Sequence, residues 1–345
     1  MARVILMGDL NVDMTASVGA YPARGGDALV DSLLLHTGGS AINTALALSG
    51  LGAEVGFIGR VGTDALAAEV LACLRDAGVD TRQVQFDASM PTGLIFIAVT
   101  ADGERTMFSA RGANVYTDPG ELDPDYFVGA RWFHLSGYAL LAEPQRAAAL
   151  TALNLAAAQG CQISLDAGTE AALHARSQIY RFLPHIHLLL PNRTELSLLT
   201  AGALPQRAPA ILLEKGVGAV VVKMGAEGCE VITPEMRVAL PAFDVAPRDT
   251  TGAGDSFDAG VIMGRLNGLS WEEAAILGNA AGAISIQHLG AGAGAVTRQA
   301  VADLIQAHLD APSWRDWREA LLRVLAFLQV PQLVQRAEAD QPSAV

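Results

Sequence analysis

The stretch Asp249-Thr250-Thr251-Gly252-Ala253-Gly254-Asp255-Ser256-Phe257 is the most informative part of this 345-residue chain. The three small residues in its middle let the backbone approach a ligand closely and adopt unusual dihedral angles. Apolar residues recur at helical spacing over 257–266, which predicts a helix that begins at this turn. Because a helix N-terminus offers free N–H groups and a positive dipole, the turn is suited to bind an anion.

Asp255 falls in the first turn of the predicted helix, beside the expected anion. A carboxylate there can take the proton from a hydroxyl group that attacks phosphorus. By itself, Asp255 could also be an ordinary helix-capping residue. The whole string, however, resembles the signature of the ribokinase-like (PfkB) family of sugar kinases. The resemblance implies that Asp255 is the catalytic base and that the anion hole consists of Gly252, Ala253 and Gly254.

Composition restricts the class of protein and its partners. Hydrophobic residues make up 51% of the chain and charged residues 17%, so a large core is expected. The formal net charge of −13 repels nucleic acid and anionic membranes, so we expect neither as a partner. Cys73, Cys161 and Cys229 are far apart, which argues against a zinc site or a disulfide framework. The chain shows no signal-peptide pattern and no long apolar run, so a cytoplasmic location is expected.

A short apolar run at 4–7 predicts a buried parallel strand that ends at Gly8. Asn11 and Asp13 follow this strand, and ligands of open α/β sheets bind at the carboxyl ends of strands. The alternative is an ordinary turn rich in Asp and Asn. The sugar kinases carry a similar Gly-x-x-Asn-x-Asp early in the chain. The resemblance therefore implies that Asn11 and Asp13 hold hydroxyl groups of the substrate.

Gly38 and Gly39 precede a predicted helix whose first turns contain Asn43. Two glycines at such a place allow close approach of the backbone to a ligand, although they could also form a plain turn. The segment resembles the family's first signature, Gly-Gly-x-x-x-Asn, which implies that these three residues bind the substrate. Ser40 departs from the lysine that is typical of ribokinases at its position, and this weakens ribose as the substrate.

Segments of about 12–35 and 92–112 predict a second, smaller set of strands. The first segment lacks helical periodicity, and in the second the pair Asp102-Gly103 between apolar runs predicts a hairpin. In the family, such strands form a lid over the sugar that is often shared across a homodimer. Arg111 follows the hairpin, and it could face a substrate anion or be an ordinary surface residue.

Asn192 and Glu195 lie three residues apart after a predicted strand. They could form a capping box, but we favour the family's Asn-x-x-Glu, whose Glu organises water bound to Mg²⁺ near the phosphates. The resemblance also implies an ATP-binding role for Lys223, Gly225, Gly228 and Asn279. For Lys223, a solvated position at a strand end is an equal alternative.

The glycine-containing loop at 285–294 follows the predicted helix of Asn279. In the family this loop encloses a potassium-like cation together with the region of Asp249 and Thr251. Ser285 and Gly290 would contribute from the loop in this chain. Loops of this composition are also often simply flexible.

From Ala311 the chain exceeds the usual family length. An apolar stripe over 314–328 predicts one more helix that ends at Pro331, and 337–345 looks disordered. Packing of this helix on the core or on a partner is open. His134 lies inside a predicted strand and is expected to be a core residue rather than a ligand.

These patterns predict an α/β protein with a three-layer α/β/α ribokinase-like fold, a mostly parallel central sheet and a small β-sheet lid. Residues 1–310 would form the kinase domain, and 311–345 a helical extension and tail. The implied activity is ATP-dependent phosphorylation of a sugar of the ribose, fructose or keto-sugar type, with Mg²⁺ and, as an open point, K⁺. One alternative is a nucleoside kinase for adenosine, inosine or pseudouridine. A non-catalytic sugar sensor is a further alternative, against which the intact string at 252–255 argues.

Overall fold

Strands and helices alternate along the chain in the computed structural model, which describes residues 3–100 and 104–330. The strands are β1 Arg3–Met7, β2 Asn11–Val18, β3 Val30–Gly38, β4 Glu54–Gly62, β5 Asp80–Asp87, β6 Gly93–Val99, β7 Arg105–Ala110, β8 Ala130–Ser136, β9 Gln162–Asp166, β10 Leu188–Leu189, β11 Ala219–Lys223, β12 Cys229–Ile232 and β13 Arg237–Leu240. The α-helices are α1 Ser40–Gly50, α2 Ala65–Asp76, α3 Gln145–Ala158, α4 Thr169–His174, α5 Arg176–Phe182, α6 Arg193–Leu199, α7 Ala208–Leu213, α8 Ala253–Leu266, α9 Trp271–Ser285, α10 Arg298–Ala307 and α11 Arg318–Gln329.

Nine of the described strands form one sheet in the order β13-β12-β11-β10-β9-β8-β1-β4-β5. Its neighbouring strands are parallel except for the antiparallel pairs β11–β12 and β12–β13. Side chains alternate across a strand, so Val4 and Leu6 of β1 pack on one face with α1, α8 and α9. Ile5 and Met7 pack on the other face with α3. The sheet is therefore the middle of three layers, and the predicted α/β/α fold is confirmed.

Two interior details of the large sheet bear on the predictions. The strand expected over 185–190 is shorter, because Leu183–His185 forms a 3₁₀ turn and β10 comprises only Leu188 and Leu189. His134 on β8 is fully buried, and its Nδ1 lies 2.8 Å from Oγ of Ser164. Burial lowers the pKa of His134 to about 4, so it is a neutral core residue as predicted.

The remaining four described strands form a small sheet in the order β3-β2-β6-β7. β2 pairs with β6 in parallel, and the other two pairs are antiparallel. The predicted lid segments are thus strands over part of their length, since the chain between β2 and β3 lacks regular structure. The predicted hairpin is the pair β6–β7, and its tip at 101–103 lies outside the described residues.

The C-terminal extension packs on the core of the large sheet. The single helix predicted over 314–328 is wrong in its first part: Pro312–Trp317 is a 3₁₀ turn, and α11 follows it. A 3₁₀ turn aligns residues three apart, so Trp314 and Trp317 both reach the core. Trp314 is fully buried and stacks on Phe243 with a ring distance of 4.4 Å. Pro331 and the predicted disordered tail at 337–345 lie outside the described residues.

Three observations concern the other predicted features. No helix within 3–100 and 104–330 is long and apolar enough to cross a membrane. The thiols of Cys73, Cys161 and Cys229 are free. Within the same residues, no group of three or more His, Cys, Asp or Glu side chains could hold a metal ion.

Candidate active site

A cleft of about 1650 Å³ lies between the large sheet and the small sheet. Ile95 and Met107 of the small sheet face Asp166 and Lys223, which end β9 and β11, so the cleft lies where open α/β sheets bind ligands. The predicted site residues that line it are Asn11, Asp13, Gly39, Asn43, Arg111, Asn192, Glu195, Lys223, Gly225, Gly228, Thr251, Gly252, Ala253, Gly254, Asp255 and Asn279. Those that do not line it are Gly38, Asp249, Ser285 and Gly290.

The predicted anion turn begins helix α8. Gly252 precedes the helix with a φ of 73°, a left-handed conformation that favours glycine. A Cβ atom at Gly252 would lie 2.7 Å from the carbonyl oxygen of Ala291, so a side chain does not fit there. The first N–H groups of a helix have no partner within it. Because 252–254 line the cleft, this turn can bind an anion inside it.

Asp255 joins the two predicted signatures. Nδ2 of Asn43 donates to Oδ2 of Asp255 over 2.8 Å. The pKa of Asp255 is raised to about 6, mainly by burial and to a smaller extent by the charge of Asp166. The hydrogen bond from Asn43 and the charge of Lys223 act to lower this pKa. A carboxyl group with this pKa is ionised at neutral pH and is more basic than an exposed aspartate. These are the properties that a general base requires.

Asp13 lies at the end of the cleft that the resemblance assigns to the phosphate acceptor. Asp13 is only 7% exposed. Its pKa is raised to about 7, mainly by burial and to a smaller extent by the charge of Asp255. A Cβ atom at Gly38 would lie 2.2 Å from the carboxyl group of Asp13. The carboxyl group of Asp13 therefore fits only because Gly38 has no side chain, although Gly38 itself does not line the cleft.

Arg111 is held by Asp9, a residue that the sequence did not single out. Nε and Nη2 of Arg111 donate to the two carboxylate oxygens of Asp9 over 2.7 and 2.8 Å. Nη2 also donates to Oε1 of Gln145 over 2.6 Å. The surface alternative for Arg111 is wrong, because its side chain is only 16% exposed. Asp9 comes shortly after β1, so the strand-end rule that selected Asn11 could have found it.

Asn11 is oriented by a second unpredicted partner, Asn114. Oδ1 of Asn11 accepts a hydrogen bond from Nδ2 of Asn114 over 2.8 Å. Oδ1 of Asn114 accepts from the backbone N–H of Leu10 over 2.7 Å. The amide nitrogen of Asn11 is therefore the group that it can offer to a ligand.

Asn192 and Glu195 form the predicted capping box and also lie in the cleft. They form a capping box at the start of α6, in which each side chain accepts from the other residue's backbone N–H over 2.9 Å. Both residues also line the cleft. Burial, followed by the charge of Asp166, raises the pKa of Glu195.

The other predicted ATP-binding residues lie on the same side of the cleft. The solvated alternative for Lys223 is wrong, because its Nζ lies 3.0 Å from both Asp166 Oδ1 and Asp258 Oδ2 and its side chain is 12% exposed. Gly225 and Gly228 have positive φ values of 60° and 90°; Gly225 begins a 3₁₀ turn after β11, and Gly228 follows that turn. Nδ2 of Asn279 donates to the carbonyl of Pro241 over 3.0 Å.

A guanidinium group that the sequence did not indicate lies at the predicted cation site. Arg105, the first residue of β7, donates through Nη1 to Oδ1 of Asp249 over 2.8 Å and also contacts the hydroxyl of Thr251. Asp249 accepts further bonds from the N–H groups of Thr251 and Gly290, over 2.9 and 3.0 Å. The hydroxyl of Ser285 donates to a carbonyl of its own helix, α9. Arg105 thus links the small sheet to the loop and balances the charge of Asp249.

Residues 1–298 match the pfkB family of carbohydrate kinases. The match covers most of the chain and includes both signatures that meet at Asp255. The chain belongs to this family. The predicted family and the predicted class of enzyme, a carbohydrate kinase, are therefore confirmed.

Relatives and a solved structure agree with this membership. Fructokinase-1 of Oryza sativa subsp. japonica is 31% identical over 304 residues, which cover 84% of this chain and 93% of the rice protein. The ATP-dependent ribose-1-phosphate kinase of Halopiger xanaduensis is 33% identical over 310 residues, which cover 90% of this chain and 100% of the relative. A candidate ribokinase II from E. coli in complex with ATP and Mg²⁺ has a TM-score of 0.81 and 25% identity, with 89% of this chain and 100% of that one covered.

Proposed function

We propose that this kinase transfers the γ-phosphoryl group of ATP to a hydroxyl group of a small neutral sugar. The observation that carries the proposal is the hydrogen bond from Asn43 to Asp255 at the start of α8. It joins the glycine signature before α1 to the carboxylate that follows the anion-binding turn, and both line one cleft. The cleft, at about 1650 Å³, exceeds the roughly 300–1,000 Å³ of an ordinary ligand pocket, which supports two ligands side by side.

In the proposed reaction, Asp255 accepts the proton of the acceptor hydroxyl while the hydroxyl oxygen forms a bond to the γ-phosphorus. The bond from that phosphorus to the bridging oxygen breaks, and ADP leaves. Backbone N–H groups of the turn at 252–254 stabilise the negative charge of the transferring group. Asp255 must be ionised to act, so kcat/KM should rise as the pH increases through about 6, the pKa of this carboxyl group.

The charges at the acceptor end support a neutral polyhydroxyl compound. Asp9 and Asp13 line the cleft there, and the charge of Arg111 is balanced by Asp9. Carboxyl groups exchange hydrogen bonds with sugar hydroxyl groups, whereas Arg111 is already paired and is not available to a phosphate group on the acceptor. This supports fructose or a similar sugar over ribose 1-phosphate as the substrate.

The opposite end of the cleft supports ATP with Mg²⁺. The apolar residues that line it near Asn279 and suit a nucleotide base are Pro241, Phe243, Val245 and Ile286. Mg²⁺ usually keeps several waters and binds through substrate phosphates and one or two carboxylates. Glu195 would hold a water molecule that is bound to Mg²⁺. The Mg²⁺ ion, when bound, would neutralise charge on the phosphates.

The proposal is tested by the release of ADP from ATP and Mg²⁺ with a panel of acceptors. The panel contains fructose, ribose, 2-keto-3-deoxygluconate, ribose 1-phosphate, adenosine, inosine and pseudouridine. We expect turnover with a neutral sugar and none with ribose 1-phosphate. If only nucleosides of the panel are turned over, the proposed acceptor is a nucleoside and not a sugar. No turnover, together with no increase in Tm on addition of ATP, would contradict a kinase and support a sugar sensor.

The same assay tests the proposed monovalent cation. Arg105 already gives Asp249 a positive partner, so K⁺ would act on backbone oxygens of the loop around Gly290 rather than on the carboxylate. Rates are compared in KCl and in tetramethylammonium chloride at equal ionic strength. Equal rates would remove K⁺ from the proposal.

We also propose a homodimer formed through the small sheet. Apolar side chains of this region that are at least half exposed include Leu29, Leu33, Leu34, Leu35, Met107 and Phe108, with Leu29 at 89%. Apolar surface of this kind typically marks an interface with another protein. Leu35 and Phe108 lie on the face of the small sheet opposite to the cleft-lining Ile97 and Met107. We expect light scattering to show a wild-type dimer and a Leu35→Asp monomer, whereas Leu204→Asp, at a 72% exposed residue outside the small sheet, stays dimeric. A monomeric wild-type protein would contradict the proposal.

A further inference from the structure

Lys223 lies in a buried cluster of charges below the anion turn. Its Nζ is 3.0 Å from Oδ1 of Asp166 at the end of β9. The same atom is 3.1 and 3.0 Å from the two carboxylate oxygens of Asp258, which is fully buried in α8. Burial acts to lower the pKa of Lys223, but the charges of Asp166 and Asp258 outweigh it and raise that pKa, so the side chain is an ammonium ion.

This cluster touches both parts of the proposed active site. A Cβ atom at Gly254 would lie 3.4 Å from Nζ of Lys223, so the ammonium lies in van der Waals distance of the anion turn. Asp166 accepts a hydrogen bond from Oγ of Ser40 over 3.1 Å. Ser40 begins α1, the helix that carries Asn43, and Asn43 donates to Asp255.

The charge balance around Asp255 depends on Lys223. The titratable groups that interact with Asp255 from the elements packed around it are Asp13 of β2, Tyr138 after β8, Asp166 of β9, Lys223 of β11 and Asp258 of its own helix. Lys223 is the one cation among these named groups. Without it, carboxylates would surround the base, and ionisation of Asp255 would become less favourable.

We propose that Lys223 is a positioning residue that supplies a fixed positive charge below Gly254, so that Asp255 is ionised at neutral pH when the acceptor binds. This role rests on the proposed function, and it differs from the direct contact with ATP that the resemblance implies. Asp166 and Asp258 hold Nζ beside Gly254 and take up its hydrogen-bond donors, so that Nζ is not free to pair with a phosphate group of the nucleotide. Lys223 therefore acts on the proton transfer and not on nucleotide affinity.

The experiment measures kcat/KM against pH, the KM for ATP and the Tm in three variants. In Lys223→Met, we expect the acid limb of the profile to move to higher pH by about 1–3 units, the usual effect of a nearby opposite charge on a carboxyl group. In Asp258→Asn, which keeps the shape of the side chain, the limb should move to lower pH. The KM for ATP should stay near its wild-type value in both. Lys215→Met is the matched control, because Lys215 is exposed and is the other lysine of the chain.

Opposite shifts of the limb separate a charge effect from a structural one, since a loss of packing does not depend on the sign of the removed charge. If Lys223→Met fails to fold because two carboxylates are left buried, Lys223→Met/Asp258→Leu removes a pair of opposite charges, and its limb should lie near the wild-type position. A limb that stays in place in both single variants would overturn the role of Lys223. A large increase in the KM for ATP with an unmoved limb would also overturn it. An inactive wild-type protein would instead contradict the proposed function.

Discussion

Replacement of Asp255 by asparagine should lower kcat by about 10²–10⁴, the usual contribution of a positioned general base. Asparagine cannot accept the proton of the acceptor hydroxyl. It keeps the shape of the side chain, and its oxygen can still accept the hydrogen bond that Asn43 donates over 2.8 Å in the wild type. We therefore expect the Tm and the KM for ATP to change little.

The pH profile provides a second measurement on the same variant. The wild-type kcat/KM should rise through pH of about 6, because the base acts in its ionised form and its raised pKa lies there. In Asp255→Asn the rise that belongs to this carboxyl group should be absent, and the rise that belongs to Asp13, whose pKa is about 7, should remain. Asp303→Asn is a suitable control, since Asp303 is an exposed carboxylate on α10. A well-folded Asp255→Asn protein with a kcat near that of the wild type would exclude Asp255 as the base.

Replacement of Asp13 by alanine should raise the KM of the acceptor by about 10- to 100-fold. The assay is made above pH 7, where Asp13, with a pKa of about 7, is ionised. Hydrogen bonds to a charged group contribute about 1.5–3 kcal/mol, and each 1.4 kcal/mol corresponds to about tenfold in affinity. Asp13 lies deep in the acceptor end of the cleft, where it is 7% exposed. The KM for ATP should change far less, because the anion turn and the Asn192–Glu195 pair do not depend on Asp13.

Two further variants make this result specific. Asn11→Ala should act in the same direction, because Asn11 lies on the same strand and also lines the cleft. Asp31→Ala removes an exposed carboxylate from the neighbouring strand β3 and should leave both KM values unchanged. Equal increases in the KM values of acceptor and ATP in Asp13→Ala would contradict an acceptor site at this turn.

Short sequence patterns were sufficient for much of the fold and for the outline of the site. The apolar runs predicted the strands of the large sheet, and the glycine pairs predicted the starts of α1 and α8. Asn43 and Asp255 were selected separately, and the structure joins them by a hydrogen bond. Spacing also predicted the capping box of Asn192 and Glu195, which the structure contains. Both residues also line the cleft. These features succeed because each depends on residues within a few positions of one another.

The charge partners of the site could not be predicted in this way. Arg111 is paired with Asp9 across 102 positions, Arg105 with Asp249 across 144, and Lys223 with Asp166 across 57. Such pairs form only after the strand order places β9 and β11 on either side of β10, or the small sheet against the loop before α8. A lone basic residue in the sequence is equally compatible with a surface position and with a ligand site.

The sequence by itself determined the family, the three-layer fold and the residues that carry the proposed chemistry, because local patterns specify turns, strand ends and helix starts. Only the tertiary structure decided which of the charged side chains are free to meet a ligand. The physical reason is that the charge and reach of a buried side chain depend on the groups a few ångströms away, and these groups come from distant parts of the chain.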